Sequence, residues 1–572
     1  MQRAIAAGGG LLLAGGIAVF GVWPRVQPAP PASPERADRP PGAALLAPRS
    51  TPSPTAAPHA ISKARTTRRP PASAKVKPIH SLASTGTSAK YLVLIVLDGA
   101  RPDYFTVPGI PHVRALMRNG TTYSNASAGI LESETPSGHA SISTGSVPKE
   151  NGLPGFDWVT SDNIPVNLFD PAKIRDGSME RVLSNAHAPS IAGLLRKHSP
   201  KATIVAMSGH KYYAADALGG PDANVIMYYT GTPDGRFVPE YVPGHAPPAG
   251  LLADPALSNK SSHLPLAVED HLAMKLAIAS VKRMHEQALL LNVPEFDWPL
   301  GHVDGGNRDP AAVRTLMQGF DQDLAALENE YRQAGVLDKT LFVLTADHGM
   351  SPIYHTVPQS SIDSAVTDTG AKIIQSSYHT ADYVWIDDKT KAPQAALNIA
   401  HQRNPLIQAV YFKEPVPGGY EFVRASGIEQ FAVPGMEQAN QALLSTFDGP
   451  TAPDLAVLYT EGAATLPGGQ ATWKGDHGGA SWEAQHVPLV LSGPGVRRGH
   501  VSDSPARIRD IAPTALSLLG VAPIGMGGVP LADALLRPTA AERRAQGSVN
   551  RALGPIVQAL RAESRAEITA GL

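Results

Sequence analysis

Carboxylates and histidines fall at a few points of this sequence in a pattern that suits divalent-metal chemistry. The apolar run that starts at Tyr91 ends in Asp98-Gly99, and the run Ala288–Val293 is followed by Pro-Glu295-Phe-Asp297-Trp-Pro-Leu-Gly-His302. Thr340–Thr345 leads to Asp347-His348-Gly349, and a later loop reads Gly475-Asp476-His477-Gly478-Gly479. Carboxylate oxygen and neutral imidazole are ligands that suit Zn2+, with Mn2+ and other divalent ions also accommodated. Taken singly, an acid at a strand end can be a helix N-cap, and a lone histidine can satisfy a core hydrogen bond. Gathered in one place without a cation, however, so many acids and imidazoles would cost on the order of several kcal/mol in desolvation and repulsion. It is the joint arrangement that points to metal.

Between the first two of these points lies Leu131-Glu-Ser-Glu-Thr135-Pro-Ser-Gly-His139-Ala-Ser-Ile-Ser-Thr-Gly145, a polar turn of small residues running into a helix start. A helix N-terminus receives phosphate well. A threonine hydroxyl becomes a competent nucleophile when a divalent cation lowers its pKa. Thr135, Ser133, Ser137, Ser141 and Thr144 could each instead cap or line the helix. Residue chemistry alone leaves the choice among these hydroxyls open.

The elements that must position these groups are legible as apolar runs. Tyr-Leu-Val-Leu-Ile-Val-Leu at Tyr91, then Thr203–Ser208, Ala288–Val293, Thr340–Thr345, Asp454–Tyr459 and Val487–Ser492 read as strands covered on both faces. Amphipathic stretches at Pro111–Asn119, Ser190–His198 and Ala311–Gly335 read as helices between them. Strands alternating with helices predict an α/β fold with a mostly parallel central sheet flanked by helices, whose ligands bind beyond the carboxyl ends of the strands. The segment from Ile353 to Pro450 is less regular, has its own short strand candidates at Tyr383–Ile386 and Val410–Phe412, and is expected to be an inserted cap. A tail over 538–572, rich in alanine and arginine from Ala540 to about Glu567, is expected to form one or two surface helices.

Before Tyr91 the character differs. From Ala4 to Trp23 no residue is charged, with Arg3 before and Arg25 after, so segment 1–23 reads as a signal anchor or signal peptide. Segment 24–88 is rich in Pro, Ala, Ser and Thr and reads as a disordered stalk. The folded domain is then expected over 89–537, outside the cytoplasm, tethered to a membrane through the N-terminal segment or secreted. The chain has 572 residues, 43% of them hydrophobic, enough for a large core. Its 49 basic and 50 acidic residues show no surface for nucleic acid, so a charged ligand must be bound locally. With no cysteine, disulfides, zinc thiolates, thiol nucleophiles and a cysteine-derived formylglycine are excluded.

The motifs Val-Leu-Asp98-Gly-Ala-Arg-Pro-Asp, Thr135-Pro-Ser-Gly-His139 with Ser-Thr-Gly145, Ala-Asp347-His348-Gly-Met and Gly-Asp-His477-Gly-Gly resemble the alkaline phosphatase superfamily. Among its branches they are most similar to the nucleotide pyrophosphatase/phosphodiesterase-like enzymes and phosphonoacetate hydrolase. The resemblance extends from about Lys90 to Leu535, where Asp510-Ile-Ala-Pro-Thr-Ala-Leu-Ser-Leu-Leu-Gly520 is similar to that superfamily's penultimate helix. It implies a three-layer α/β sandwich and two divalent ions, Zn2+ by preference. Asp98, Thr135, Asp347 and His348 would hold one ion, and Asp297, His302 and His477 the other. Thr135 would attack phosphorus and pass through a phospho-threonine intermediate.

The implied substrate is a small-molecule phosphate ester, cleaved by phosphodiesterase or phosphatase action. The alternatives are a phosphonate hydrolase or a catalytically silent cell-surface binding module of the same fold. Threonine at the nucleophile position speaks against a sulfatase, and the N-terminal segment against a phosphoglycerate mutase. Two departures stand out. The spacing of Asp297 and His302 is one residue longer than the family's, which leaves Glu295 as an alternative ligand. In Asn151-Gly-Leu-Pro-Gly-Phe156-Asp157-Trp158 no asparagine stands where the phosphodiesterase branch uses one on the phosphoryl oxygen, so Lys211 or a backbone amide at the Thr135 turn becomes the candidate donor.

Overall fold

A computed structural model describes residues 89–571, apart from 161, 171–175, 307–308 and 428–430; the segments 1–23 and 24–88 lie outside the described residues. The run at Tyr91 forms β1 (Tyr91–Leu97), whose residues from Leu92 onward are all buried. It is followed in chain order by β2 (Gly120–Tyr123), β3 (Ile204–Met207), β4 (Val225–Gly231), β5 (Phe237–Tyr241), β6 (Ala288–Val293) and β7 (Thr340–Thr345). Then come β8 (Ile373–Tyr378), β9 (Ala381–Ile386), β10 (Ile407–Val416), β11 (Gly419–Arg424) and β12 (Leu455–Tyr459), and finally β13 (Leu489–Ser492) and β14 (His500–Ser502).

The central sheet has nine strands in the order β14-β2-β13-β7-β1-β6-β3-β4-β5. β1 lies parallel to both β7 and β6, with Leu92 opposite Leu341 on one side and Ala288 on the other. These three strands are continuous apolar runs because side chains on both faces are covered. β13 and β5 run antiparallel to their neighbours, so the sheet is mostly parallel, as expected, with two reversals. Val487–Ser492 is thus a strand of the central sheet that runs against both of its neighbours. The helices used below are α1 (Pro111–Arg118), α2 (Thr135–Thr144), α3 (Ile191–His198), α4 (Tyr212–Gly219), α5 (Val268–Met284) and α6 (Pro310–Gln333), then α7 (Ala392–His401), α8 (Ile511–Leu518) and α9 (Ala540–Ala570).

Between β7 and β13 the chain builds a second, antiparallel sheet in the order β8-β9-β12-β10-β11. Here the run Asp454–Tyr459 departs from the sequence reading, because it forms β12 at the centre of the second sheet. Both sheets need apolar central strands, so composition alone does not assign a run to one of them. Alternation decides what each face of the second sheet meets: Tyr383 and Trp385 belong to the main core, whereas Val384 and Ile386 join a separate core with Ala395, Ala396 and Ile399 of α7.

The C-terminal tail is a single helix, α9, opened by a capping box between Thr539 and Glu542. It is not simply a surface element. Glu563 accepts hydrogen bonds from the amides of Ala432 and Val433, and Glu567 accepts from Gln408 Nε2 and the Glu461 amide. No helix among the described residues is long and apolar enough to cross a membrane.

Candidate functional site

Three adjacent parallel strands end at the same edge. β1 delivers Asp98 directly, β6 is followed by Glu295 and Asp297, and β7 by Asp347 and His348. The fully buried helix α2 packs across this edge with Thr135 as its first residue. A Cβ on Gly138 would lie 2.8 Å from Asp347 Cβ, so only glycine lets the helix come this close to the Asp347 loop. Ser137 Oγ accepts from the Glu134 amide (3.2 Å) and lies 2.5 Å from the Glu132 carbonyl, which it serves as a donor, so this hydroxyl shapes the turn. The Thr135 hydroxyl, in contrast, faces the acids: Oγ1 is 3.4 Å from Asp98 Oδ1.

The three candidate histidine ligands share one arrangement. His302 Nδ1 meets the Gly475 carbonyl at 2.9 Å, His348 Nδ1 the Gly349 carbonyl at 2.9 Å and His477 Nδ1 the Ser133 carbonyl at 3.0 Å. A carbonyl can only accept, so each Nδ1 carries a proton, and in the neutral ring each Nε2 then has a lone pair facing inward. His348 Nε2 lies 3.2 Å from Asp347 Oδ2 and 3.6 Å from Asp98 Oδ1. His302 Nε2 and His477 Nε2 lie 3.2 and 3.5 Å from Asp297 Oδ1. Asp297 Oδ1, Asp347 Oδ2 and His348 Nε2 are buried without a hydrogen-bond partner. Orphaned polar atoms of this kind each cost about 1–3 kcal/mol unless something binds them. Asp98, Asp347 and His348 converge within 4.8 Å, as do Asp297, His348 and His477, so the donor set fits divalent cations.

Charge balance is tight. Lys211, next to the start of α4, is buried with Nζ 2.8 Å from Asp98 Oδ1, bonded also to Asp297 Oδ2, and 3.4 Å from Thr135 Oγ1. Burial works against its charge, but Asp297 and Asp98 hold it well above the usual lysine range. Burial would raise Asp297 too, yet the buried Lys211 ammonium holds that carboxyl well below the ordinary range. Burial, with Asp347 beside it, leaves Asp98 raised despite Lys211. Burial and the stacked ring of His348, 3.5 Å away, keep His477 neutral by pushing it well down, as a ligand imidazole must be.

The structure thus brings together Asp98, Thr135, Lys211, Asp297, His302, Asp347, His348 and His477. Glu295 is turned elsewhere: its carboxylate accepts from the amides of Ala267 and Asp270, both at 2.9 Å, at the N-terminus of α5. Asn151 is engaged near the far end of α2, with Oδ1 accepting from the Leu153 amide. Two groups, Asn292 and His379, escaped the sequence reading. Asn292 donates to Asp98 Oδ2 at 2.7 Å and accepts from Ser208 Oγ at 2.6 Å; its signal was a lone amide inside an apolar strand. His379, from the turn between β8 and β9, pairs with Asp476 beside the candidate ligand histidines. Asp476 approaches His302 from the Nδ1 side (3.7 Å), and its carboxylate also converges with His302 and His477 within 4.8 Å.

Residues 92–480 match the family pattern of Type I phosphodiesterase / nucleotide pyrophosphatase. No curated protein matches the chain. Among solved structures, alkaline phosphatase PafA has a TM-score of 0.60 at 17% identity, over 78% of this chain and 99% of that one. Human ectonucleotide pyrophosphatase / phosphodiesterase 5 has 0.54 at 16%, over 78% and 100%, and its murine counterpart 0.53 at 16%, over 77% and 97%. At such identities the likeness speaks for the fold, and it agrees with the expected sandwich of helices about a large sheet. The family match covers the strands and helix that gather the site, and with it the chain belongs to the Type I phosphodiesterase / nucleotide pyrophosphatase family, a family of phosphoric ester hydrolases.

Proposed function

We propose that this chain is an extracytoplasmic hydrolase of small-molecule phosphate esters, a phosphodiesterase or phosphatase, in which the Thr135 hydroxyl attacks phosphorus. The observation that carries the reading is the placing of Thr135 Oγ1 at 3.4 Å from both Asp98 Oδ1 and Lys211 Nζ, at the first turn of α2. Asp98, Thr135, Asp347 and His348 would hold one divalent ion and Asp297, His302 and His477 a second, with Zn2+ matching the carboxylate and imidazole set. When bound, such ions would supply Lewis-acid charge that makes the Thr135 hydroxyl more acidic and offsets charge on the phosphoryl oxygens.

The chain's own groups do the rest. The first amides of α2 and its dipole favour an anionic phosphoryl group beside Thr135. Lys211, charged and buried, supplies a cation on the same side. Attack forms the bond from Thr135 Oγ to phosphorus and breaks the bond from phosphorus to the ester oxygen, which leaves as an alcohol after taking a proton. Water then displaces Thr135 Oγ from phosphorus, returning the hydroxyl and releasing the phosphate product. The uncharged run Ala4–Trp23 supports export, with the membrane reached through the N-terminal segment.

The test is hydrolysis of a chromogenic phosphate monoester and diester, before and after chelation and with Zn2+ restored. Chelator-sensitive turnover that zinc restores supports the reading, and the preferred ester chooses between phosphatase and phosphodiesterase. No turnover of either, with zinc bound, removes it.

A further inference from the structure

The turn between β8 and β9 enters the back of the site. His379 in this turn is 12% exposed and has one ring nitrogen on each of two fully buried acids. Nε2 is 2.8 Å from Glu134 Oε1, and Nδ1 is 3.3 Å from both oxygens of Asp476. Glu134 immediately precedes Thr135, and Asp476 immediately precedes His477. The neighbouring residues of the turn hold the same two loops. Thr380 donates to the His477 carbonyl through its amide (3.2 Å) and its hydroxyl (2.8 Å), Tyr383 OH donates to the Gly478 carbonyl at 2.6 Å, and Ser377 Oγ donates to Glu134 Oε1 at 3.2 Å.

We propose that His379 is a positioning residue, which ties the residue before the nucleophile to the residue before a ligand histidine and so makes the second sheet part of the frame of the active site. A carboxylate can only accept, so both nitrogens of His379 act as donors, and the ring replaces repulsion between two buried acids with two charge-assisted bonds. Without it, Glu134 and Asp476 would each seek another partner. The Thr135 end of α2 and the loop carrying His477 would then lose one of the contacts that hold them together, beside the bond from His477 Nδ1 to the Ser133 carbonyl. Outer partners of metal ligands act in this way, and their loss reduces metal affinity or activity by about 10–100-fold.

This inference rests on the metallo-hydrolase reading, so its test uses zinc affinity as well as turnover. His379→Asn is compared with the wild type for zinc affinity by chelator competition, for kcat and KM on a chromogenic ester, and for Tm. The expected result is a fall of about 10–100-fold in kcat and in zinc affinity with KM changed much less, because Lys211 and the first turn of α2 still meet the phosphoryl group. His379→Lys, which restores a cation with donors, is expected to recover part of both. A residue with a merely structural role would lower Tm while kcat and zinc affinity of the folded protein stay within about twofold, and that result overturns the proposal. Should His379→Asn fail to fold, Thr380→Val, which removes the hydroxyl bonded to the His477 carbonyl, is measured in the same way. A smaller fall in the same two quantities supports the proposal, and wild-type values overturn it. If the wild type binds zinc but turns over no ester, the functional reading fails while the affinity comparison still decides the role of His379.

Discussion

Lys211 Nζ stands 3.4 Å from Thr135 Oγ1, and its ammonium group is bonded at the same time to Asp98 and Asp297. One buried cation therefore touches the candidate nucleophile and one acid from each of the two candidate metal clusters. A group so placed meets the phosphoryl oxygens of any ester attacked by Thr135. Lys211→Ala is expected to lower kcat/KM for a phosphate ester by about 10²-fold, roughly 2.7 kcal/mol of transition-state stabilisation. Steady-state kinetics check this, and a change below about threefold would remove Lys211 from substrate binding.

Thr135→Ala should lose at least about 10³-fold in kcat, the scale seen when a nucleophile is deleted and binding groups remain. Metal content by elemental analysis should stay near that of the wild type, because carboxylates and imidazoles still face the ions. Thr135→Ser should keep measurable turnover, since the attacking oxygen is retained. Full activity in the alanine variant would take the threonine out of the mechanism.

Glu295 and Asp297 should part company when each is changed to alanine. Asp297 Oδ1 is unpartnered and faces His302 and His477, so Asp297→Ala is expected to lose about one ion per chain, with most of the activity. Glu295 caps α5, so Glu295→Ala should cost about 0.5–2 kcal/mol of stability with metal content unchanged. Metal stoichiometry beside chemical denaturation separates the two, and the reverse pattern would exchange their roles.

Burial pushes the Glu567 carboxyl up from 4.5 to about 7 in the folded chain, though the Glu461 amide and Gln408 donate to it. An acid whose folded pKa is raised makes the folded state hold the extra proton. Its contribution to stability is full below about pH 4.5 and is lost as pH rises towards 7. Comparing Tm against pH for the wild type and Glu567→Gln should therefore show a difference that grows across that window, with the glutamine variant gaining relative stability as pH rises. A constant difference between the two curves would mean that Glu567 does not titrate there.

Much of the frame was legible because its signals are local. A fully covered strand must be apolar along its whole length, so β1, β6 and β7 announce themselves, and the acids that follow them mark the edge where ligands bind. The bounds of α1, α3 and α6 follow the amphipathic stretches closely for the same reason. The motifs around Asp98, Thr135, Asp347 and His477 carry enough residue-type information to name the family that the match over 92–480 bears out.

What lay beyond the sequence depends on direction and on distant partners. Glu295 and Asp297 are both acids after the same strand, and only the folded chain turns one to the helix α5 and the other to the histidines. Asp454–Tyr459 is as apolar as a strand of the central sheet, yet pairing with β9 and β10 places it in the second. His379 has no local mark, because its meaning comes from Glu134 and Asp476, far away along the chain. By itself the sequence determined which residues could do chemistry and which strands would carry them. The tertiary structure decided which way each side chain points and what stands behind it, since burial and hydrogen bonding between remote segments are set by packing alone.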